Sequence, residues 1–409
     1  MRGKRLVVLL ALVLLLAGGS AWAQKAKVTF FWALYDGLTE DYRQSLQNAF
    51  MKANPTIEVD IVPIDWDLMY EKMTTAIAGG KPPELCIIGT RWLLELLDMD
   101  AVDEVTKYVS KATIDNIAPG AIEARIKGKL YGLPDAAGAR ILAINNDITT
   151  KVPKTMEEMR AEAIRVHKPP KTYGLIMPGK KHVEQTDYCY YLYSNGGDYF
   201  VRNPDGSYGK CAVNSPAGVK ALEFMVQLAN KDKVVQEGYL GLDRMDSHPL
   251  FYEGKYAYVM IGAWVESAMK QAGSKFKVQY ALIPPFAGQK QSGLIITDSI
   301  AMFKGAKYLK EAGKFLDFFY QDEWKAKFDE LIGFPPVTMS AAKLPQFQSP
   351  LYKVLGQAAM YAKGWPLIKE FNEVSDIVWD ANVKAFLGQM TPKQALDEAA
   401  AKIDKIRGM

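Results

Sequence analysis

The chain has 409 residues, with 50 Lys+Arg against 46 Asp+Glu and a formal charge of +4. That near balance gives no electrostatic case for nucleic acid or an anionic membrane surface, and the length exceeds one comfortable core, which favours two lobes. Three cysteines, Cys86, Cys189 and Cys211, are an odd number and make no disulfide framework, although Cys189 and Cys211 could pair.

Residues 1–23 read as a secretory signal. Arg2, Lys4 and Arg5 precede an apolar run over 6–17, and Ala21-Trp22-Ala23 offers an A-x-A cleavage site before Gln24. The run is shorter than the roughly 20 residues that span a bilayer, and the alternative is an uncleaved anchor. Ser20 stands where a lipoprotein signal needs Cys. The expectation is a free periplasmic protein. Cleavage takes Lys+Arg from 50 to 47 against 46 acids, so the mature charge falls to +1.

Residues 27–33 (KVTFFWA) are β-branched and aromatic and predict a strand. Thr39 caps a following helix whose first turn holds Glu40 and Asp41. Residues 57–62 predict a second strand, Asp67 a cap for a helix ending at Gly79-Gly80, and 85–88 a fully apolar third strand in which Cys86 packs as a small hydrophobe. This β-α-β-α-β order predicts an open parallel sheet. Ligands gather beyond the carboxyl ends of such strands. Those ends carry Trp32, Tyr35 and Asp36, then Asp65 and Trp66, then Thr90, Arg91 and Trp92.

Between two short apolar runs lies Pro134-Asp135-Ala136-Ala137-Gly138-Ala139-Arg140. It is too small and polar for a core, yet carries one acid and one base. It reads as a strand that pauses and crosses between lobes, with Asp135 and Arg140 near the cleft. An ordinary hairpin or surface loop is the other reading.

Farther on, Thr155 and Glu158 suggest a capping box. Asp205-Gly206 suggests a tight turn between strands over 199–202 and 208–213. Ser215-Pro216 opens a helix to about residue 230. Residues 256–261 predict an apolar strand ending at Gly262-Ala263-Trp264, where Gly262 would let a ligand approach the backbone and Trp264 would stack on it. Residues 294–303 are strand-like but interrupted by Thr297-Asp298-Ser299. Helices over 308–320 and 322–331 follow, then Gly333-Phe334-Pro335-Pro336. Trp324 and Trp379 sit inside helical patterns as core residues. Thr391, Pro392 and Gln394 open the last helix.

Chemistry-bearing motifs are absent. No phosphate-binding loop, dinucleotide fingerprint, H-E-x-x-H or G-x-S-x-G occurs. His167, His182 and His248 lack metal-ligand spacing, and Asp98, Asp100 and Asp103 lack the Gly a calcium loop needs. No cofactor or metal is expected.

Residues 128–148 (GKLYGLPDAAGARILAINNDI), 214–228 (NSPAGVKALEFMVQL), 251–264 (FYEGKYAYVMIGAW) and 333–337 (GFPPV) together, in this order and spacing, resemble the extracellular solute-binding proteins of carbohydrate-type ABC importers, the group that includes maltose-binding protein. The resemblance covers nearly the whole mature chain. It implies an α/β, two-lobe periplasmic-binding-protein type 2 fold with a ligand cleft and a helical C-terminal part. It divides the chain into 24–135 plus 293–335 for the N-terminal lobe and 136–292 plus 336–409 for the C-terminal lobe. It implies a monomer that binds a sugar or oligosaccharide and delivers it to membrane permease subunits.

Sugars present apolar ring faces to aromatic side chains and hydroxyls to carboxylate and guanidinium groups. The stacking candidates are therefore Trp32, Trp66, Trp92 and Trp264, and the polar candidates Asp36, Asp65, Arg91, Asp135, Arg140 and Asp298. A glycerol phosphate or other polyol phosphate is the alternative ligand, held by Arg91 and Arg140. An exported polysaccharide-degrading enzyme is the remote alternative.

Overall fold

The computed structural model describes residues 25–121, 123–181 and 186–409; the signal sequence and His182 lie outside them. The chain opens with strand β1 (Ala26–Ala33), helix α1 (Glu40–Ala53), strand β2 (Ile57–Ile64), helix α2 (Trp66–Ala78) and strand β3 (Leu85–Gly89). β1 pairs in parallel with β2 and β3, as the alternation of strands and helices predicts. Thr39 caps α1 by accepting from Tyr42 N–H. The cap of α2 differs from expectation: Asp65 occupies the N-cap and Asp67 lies in the first turn. There it still faces the positive helix end.

After the short helix α3 (Leu93–Asp98), strand β4 (Gly132–Ala139) joins the first sheet, and strand β5 (Ile141–Asn145) already belongs to a second one. The chain therefore crosses at Arg140, whose N–H donates to Leu294 O at 2.8 Å. β4 carries the chain in the first sheet to Ala139, four residues past the division expected after Asp135.

The next elements are helix α4 (Met156–Val166), strand β6 (Tyr173–Ile176), helix α5 (Thr186–Ser194), the hairpin β7 (Phe200–Arg202) and β8 (Tyr208–Cys211), and helices α6 (Pro216–Val226) and α7 (Arg244–Tyr252). Strand β9 (Tyr256–Ile261), helix α8 (Val265–Gln271) and strand β10 (Val278–Ala281) complete the second sheet, whose order is β10-β5-β9-β6. Both faces of this sheet are covered. Ile141, Ala143, Val259 and Ile261 enter one core, while Leu142, Ile144, Tyr258 and Met260 enter the other. That is why β5 and β9 read as continuous apolar runs rather than alternating ones.

Strand β11 (Gly293–Phe303) returns to the first sheet and pairs antiparallel with both β3 and β4. Helices α9 (Leu309–Phe319) and α10 (Asp322–Ile332) follow. Helix α11 (Pro350–Tyr361) sends Leu351 and Leu355 into the first core. Strand β12 (Ala362–Lys363) edges the first sheet, and helices α12 (Phe371–Phe386) and α13 (Pro392–Ile406) close the second core. α13 carries the full capping box of Thr391 and Gln394. The box at α4 is altered: Thr155 accepts from Glu158 N–H, but the Glu158 carboxylate accepts from Lys154 N–H.

The expected interruption at Thr297-Asp298-Ser299 is absent from β11. The irregularity lies in its partner. Asp298 pairs with Ala136 and Ser299 with Pro134, so Asp135 is an extra residue on β4. Pro134 has no N–H to give a ladder, and a bulge is where a sheet tolerates that. The two displaced carbonyls find side chains from the neighbouring helices. Tyr320 donates to Pro134 O at 2.9 Å, and Lys325 donates to Asp135 O at 2.8 Å.

Cys86 is fully buried in β3, as expected. Cys189 and Cys211 do not pair; all three cysteines are free and buried. Cys189 instead receives a hydrogen bond from Trp365 Nε1 at 3.1 Å and lies 3.3 Å from Tyr199 Oη. Trp324 and Trp379 are half-buried rather than fully enclosed; Trp324 stacks on Phe318 and Trp379 donates to Gly179 O. Thiol titration in denaturant should accordingly give three thiols per chain without reductant, with an unchanged Tm when reductant is added. A single thiol would show a disulfide.

Candidate ligand-binding cleft

Residues from both sheets meet at the carboxyl ends of β1, β2 and β9. The loop after β1 brings Tyr35 and Asp36. The start of α2 brings Asp65, Trp66 and Asp67. The start of α7 brings Asp243, Arg244 and Asp246, and the turn after β9 brings Trp264. Together they line a cavity of about 400 Å³. Asp243 holds the start of α7 in place by accepting from Met245 and Asp246 N–H, in a capping box completed by the Asp246 carboxylate. Burial raises the pKa of Asp36, opposed by the nearby Arg244 guanidinium.

Of the ten sequence-predicted site residues, Asp36, Asp65, Trp66 and Trp264 line this cavity. Trp264 is only 5% exposed. Phe334 stacks on it at 6.1 Å, His248 stacks at 6.0 Å, and the Arg140 and Arg244 guanidinium carbons lie 4.7 and 5.1 Å from its ring centroid. Gly262 has a different role from the one expected. A Cβ there would sit 1.9 Å from the Trp264 ring, so the glycine makes room for the tryptophan to fold back, not for a ligand. Gly89 does the same for Arg91, whose guanidinium would lie 2.2 Å from an added Cβ. Two strand ends thus use one device, a glycine overlaid by the side chain two residues on.

Arg91, Asp135, Arg140 and Asp298 form a buried layer behind the cavity wall. The Tyr35 hydroxyl lies 3.0 Å from Asp135 Oδ2 and 3.0 Å from Asp298 Oδ2. Arg91 lies 3.6 Å from Asp298 and is placed between Trp92 and Trp365, 4.9 and 5.0 Å from their centroids. Arg140 donates to Gly138 O, and its Nε is buried with no partner. Burial pushes Glu123 up to about 7, partly offset by Arg91. Burial also holds Asp187 well above the carboxylate range, with Arg140 opposing it.

Two stacking candidates do not reach the cavity lining. Trp32 is wholly enclosed by Phe30, Phe319 and Phe328 and is a core residue. Its position on β1 points inward because side chains alternate along a strand. Trp92 is 1% exposed and packs edge-on against Trp66 and Tyr70, behind the wall. Tyr35, Asp67, Asp243, Arg244 and Asp246 are lining residues outside the candidate set. Asp243 and Asp246 carry the spacing of a helix start before an apolar stretch, which is the signal that finds them.

His167 accepts from Gly174 N–H, a structural role. Asp98, Asp100 and Asp103 each face a lysine: Lys369, Lys304 and Lys107. Among the described residues no group of three or more His, Cys, Asp or Glu could hold a metal, and no helix is long and apolar enough to cross a membrane.

A cleft between two α/β lobes, lined from both and crossed by β4–β5 and β10–β11, is the architecture of the maltose-binding-protein type. The chain belongs to the family of bacterial extracellular solute-binding proteins, whose profile matches residues 35–326. A Brucella abortus protein described as a binding protein is 30% identical over 98% of this chain and 97% of its own. The galactooligosaccharide-binding protein of Bacillus subtilis is 28% identical over 66% of this chain and 65% of its own. The maltose-bound MalE3 of T. maritima has the same fold, with a TM-score of 0.83 over 93% of this chain and all of that one, at 21% identity.

The placement of Trp32 separates packing from binding. Trp32→Ala should lower unfolding free energy by about 3–5 kcal/mol in urea melts and leave ligand affinity at 20–25 °C (about the reference condition of such data) unaltered. An affinity loss as large as that of a cavity-lining variant would return Trp32 to the site.

Proposed function

We propose that this protein is the substrate-binding component of an ABC importer and that it captures a neutral sugar or oligosaccharide in the interlobe cavity. The carrying observation is the composition of the cavity wall. Aromatic side chains from both lobes, Tyr35, Trp66 and Trp264, stand among carboxylates and one guanidinium. Apolar sugar faces suit the rings, and equatorial hydroxyls suit planar acceptors and donors. The sugar would take the place of the Arg244 guanidinium against Trp264 and leave that arginine to bond its hydroxyls.

The polyol-phosphate alternative is less well supported. The lining carries Asp36, Asp65, Asp67, Asp243 and Asp246 against Arg244. An anion entering this field meets like charge in a partly desolvated site. Arg91, one of the arginines proposed for a phosphate, already faces Asp298. A degrading enzyme would need a positioned acid and base flanking a glycosidic bond; this reading instead has binding without turnover.

In this reading the lobes close as a hinge, and the sugar favours the closed state through contacts to both. Permease subunits would recognise that closed form, and the protein would act as a monomer. Residues 1–23 would direct export to the periplasm and be removed, so that N-terminal sequencing of secreted protein begins at Gln24.

A thermal-shift series tests the ligand class. A neutral oligosaccharide at about 100 Kd should add roughly 2.7 kcal/mol to unfolding free energy, and glycerol phosphate should add nothing. Trp264→Ala should weaken sugar binding on the order of ten-fold or more, from lost stacking and packing. A shift with phosphates alone would overturn the neutral-sugar reading.

A further inference from the structure

The bulge places two buried carboxylates against one phenol, and the hydrogens available do not suffice for both as anions. Asp135 is fully buried and Asp298 is 5% exposed. Each presents Oδ2 at 3.0 Å to the same Tyr35 hydroxyl. That hydroxyl has one hydrogen to donate. One carboxylate can receive it; the other must face the oxygen lone pairs with a proton of its own or remain an unsatisfied buried anion.

The surrounding charges decide which acid is neutral. Burial raises Asp298 too, but it is opposed there by Arg91 at 3.6 Å, by the Tyr35 hydrogen bond and by longer-range attraction to Arg140 and Arg244. Asp135 has Lys325 as its near cation, but that ammonium is already committed. It is ion-paired to Asp329 and donates to the Asp135 backbone carbonyl, not to its carboxyl. The remaining groups around Asp135 are the Asp329 carboxyl, which burial pushes up to about 7 against Lys325 and which raises Asp135 further, and the phenols of Tyr42 and Tyr320; none brings positive charge. Asp135 Oδ1 has no hydrogen-bond partner. An orphan oxygen of this kind is far cheaper on a neutral acid than on an anion.

We propose that Asp135 is held as a neutral carboxylic acid that positions Tyr35 at the cleft wall: its Oδ2–H donates to Tyr35, and Tyr35 donates on to ionised Asp298, which Arg91 balances. Asp135 is therefore a positioning residue, not the ligand contact its sequence position suggests. The chain of bonds fixes the Tyr35 ring where it meets Trp66 and Phe334 edge-on. Burial pushes Asp135 up to about 7, in the same direction, with Lys325 opposing.

The sign of the pH effect follows. A carboxyl whose pKa is raised in the folded state binds its proton more tightly there than in the unfolded chain. Its contribution to stability is present below the unfolded carboxylate pKa and is lost as pH rises through about 7.

Two readouts on the full mature chain test this without any ligand. In the infrared difference spectrum of wild type minus Asp135→Asn at pH 5.5 (about 1.5 pH units below the raised pKa), the C=O stretch of one protonated carboxylic acid should appear, and it should vanish at pH 9 (roughly two units above). Asp298→Asn should leave that band in place. In melts, wild-type Tm should fall from pH 5 to pH 8 more steeply than that of Asp135→Asn, whose amide replaces the neutral acid at any pH (a window spanning roughly the raised pKa). The variant should be the more stable protein at the upper end. Absence of the band, or an equal Tm deficit of the variant at both ends, would overturn the proposal. Under the sugar-binding reading, wild-type affinity should also decline across the same pH range and that of Asp135→Asn should not. That last comparison rests on the proposed function, whereas the spectra and melts stand or fall without it.

Discussion

A single extra residue in β4 governs how the two lobes meet. Because Pro134 cannot donate to the ladder, the pairing with β11 slips by one residue there, and Asp135 leaves the register. The slip turns a buried strand into a source of polar groups beneath the cleft. It obliges Tyr320 and Lys325 to satisfy the freed carbonyls, which fastens α9 and α10 to the sheet. On the same face it aims an acid at Tyr35, which in turn stands at the cavity wall. Five residues farther on, Arg140 takes the chain into the second sheet.

The wall built on this base is a set of stacked rings and guanidinium planes. Arg91 between Trp92 and Trp365 joins the third strand end of the first lobe to the segment preceding α12. Asn372 donating to Glu95 and Lys369 facing Asp98 add to that same rim. The exposed Lys369–Asp98 ion pair is worth little. The buried guanidinium–tryptophan contacts are worth more, because they are desolvated. On this rim the lobes meet through contacts that can exchange partners with a polyhydroxyl ligand, beside the apolar core that both sheets share. This is the kind of interface that a ligand can bias by a modest difference in affinity.

Much of this was legible in the residues. The strand-helix alternation from Val28 to Ile88, the helix starts at Thr39, Ser215 and Thr391, and the run at 256–261 follow from local periodicity and capping, which act over a few residues. The crossover was only partly legible: Pro134, Gly138 and the two charges mark an interruption that fits a hairpin or surface loop as well, the family resemblance tipped the reading, and the chain in fact stays in β4 to Ala139 and crosses at Arg140. The inward face of Trp32 was not legible, since strand ends rich in aromatics do not disclose which alternate position faces the ligand. The contributions of Asp243, Arg244 and Asp246 were only partly legible: the spacing marks a helix start, but not that packing of α7 on β9 and β6 carries that start to the cavity. Nor could Gly262 have been read correctly, because the group that fills its missing Cβ is a side chain two residues away. The free state of Cys189 likewise depends on Trp365, 176 residues distant.

The most direct test of the account is small-angle scattering of the mature protein with and without a saturating neutral oligosaccharide, occupancy being fixed by calorimetry. Closure of two lobes around a bound sugar predicts a smaller radius of gyration and a shorter maximum dimension in the loaded protein, and no such change with glycerol phosphate. A sugar that binds while the scattering curve stays that of the free protein would contradict a cleft that closes on its ligand.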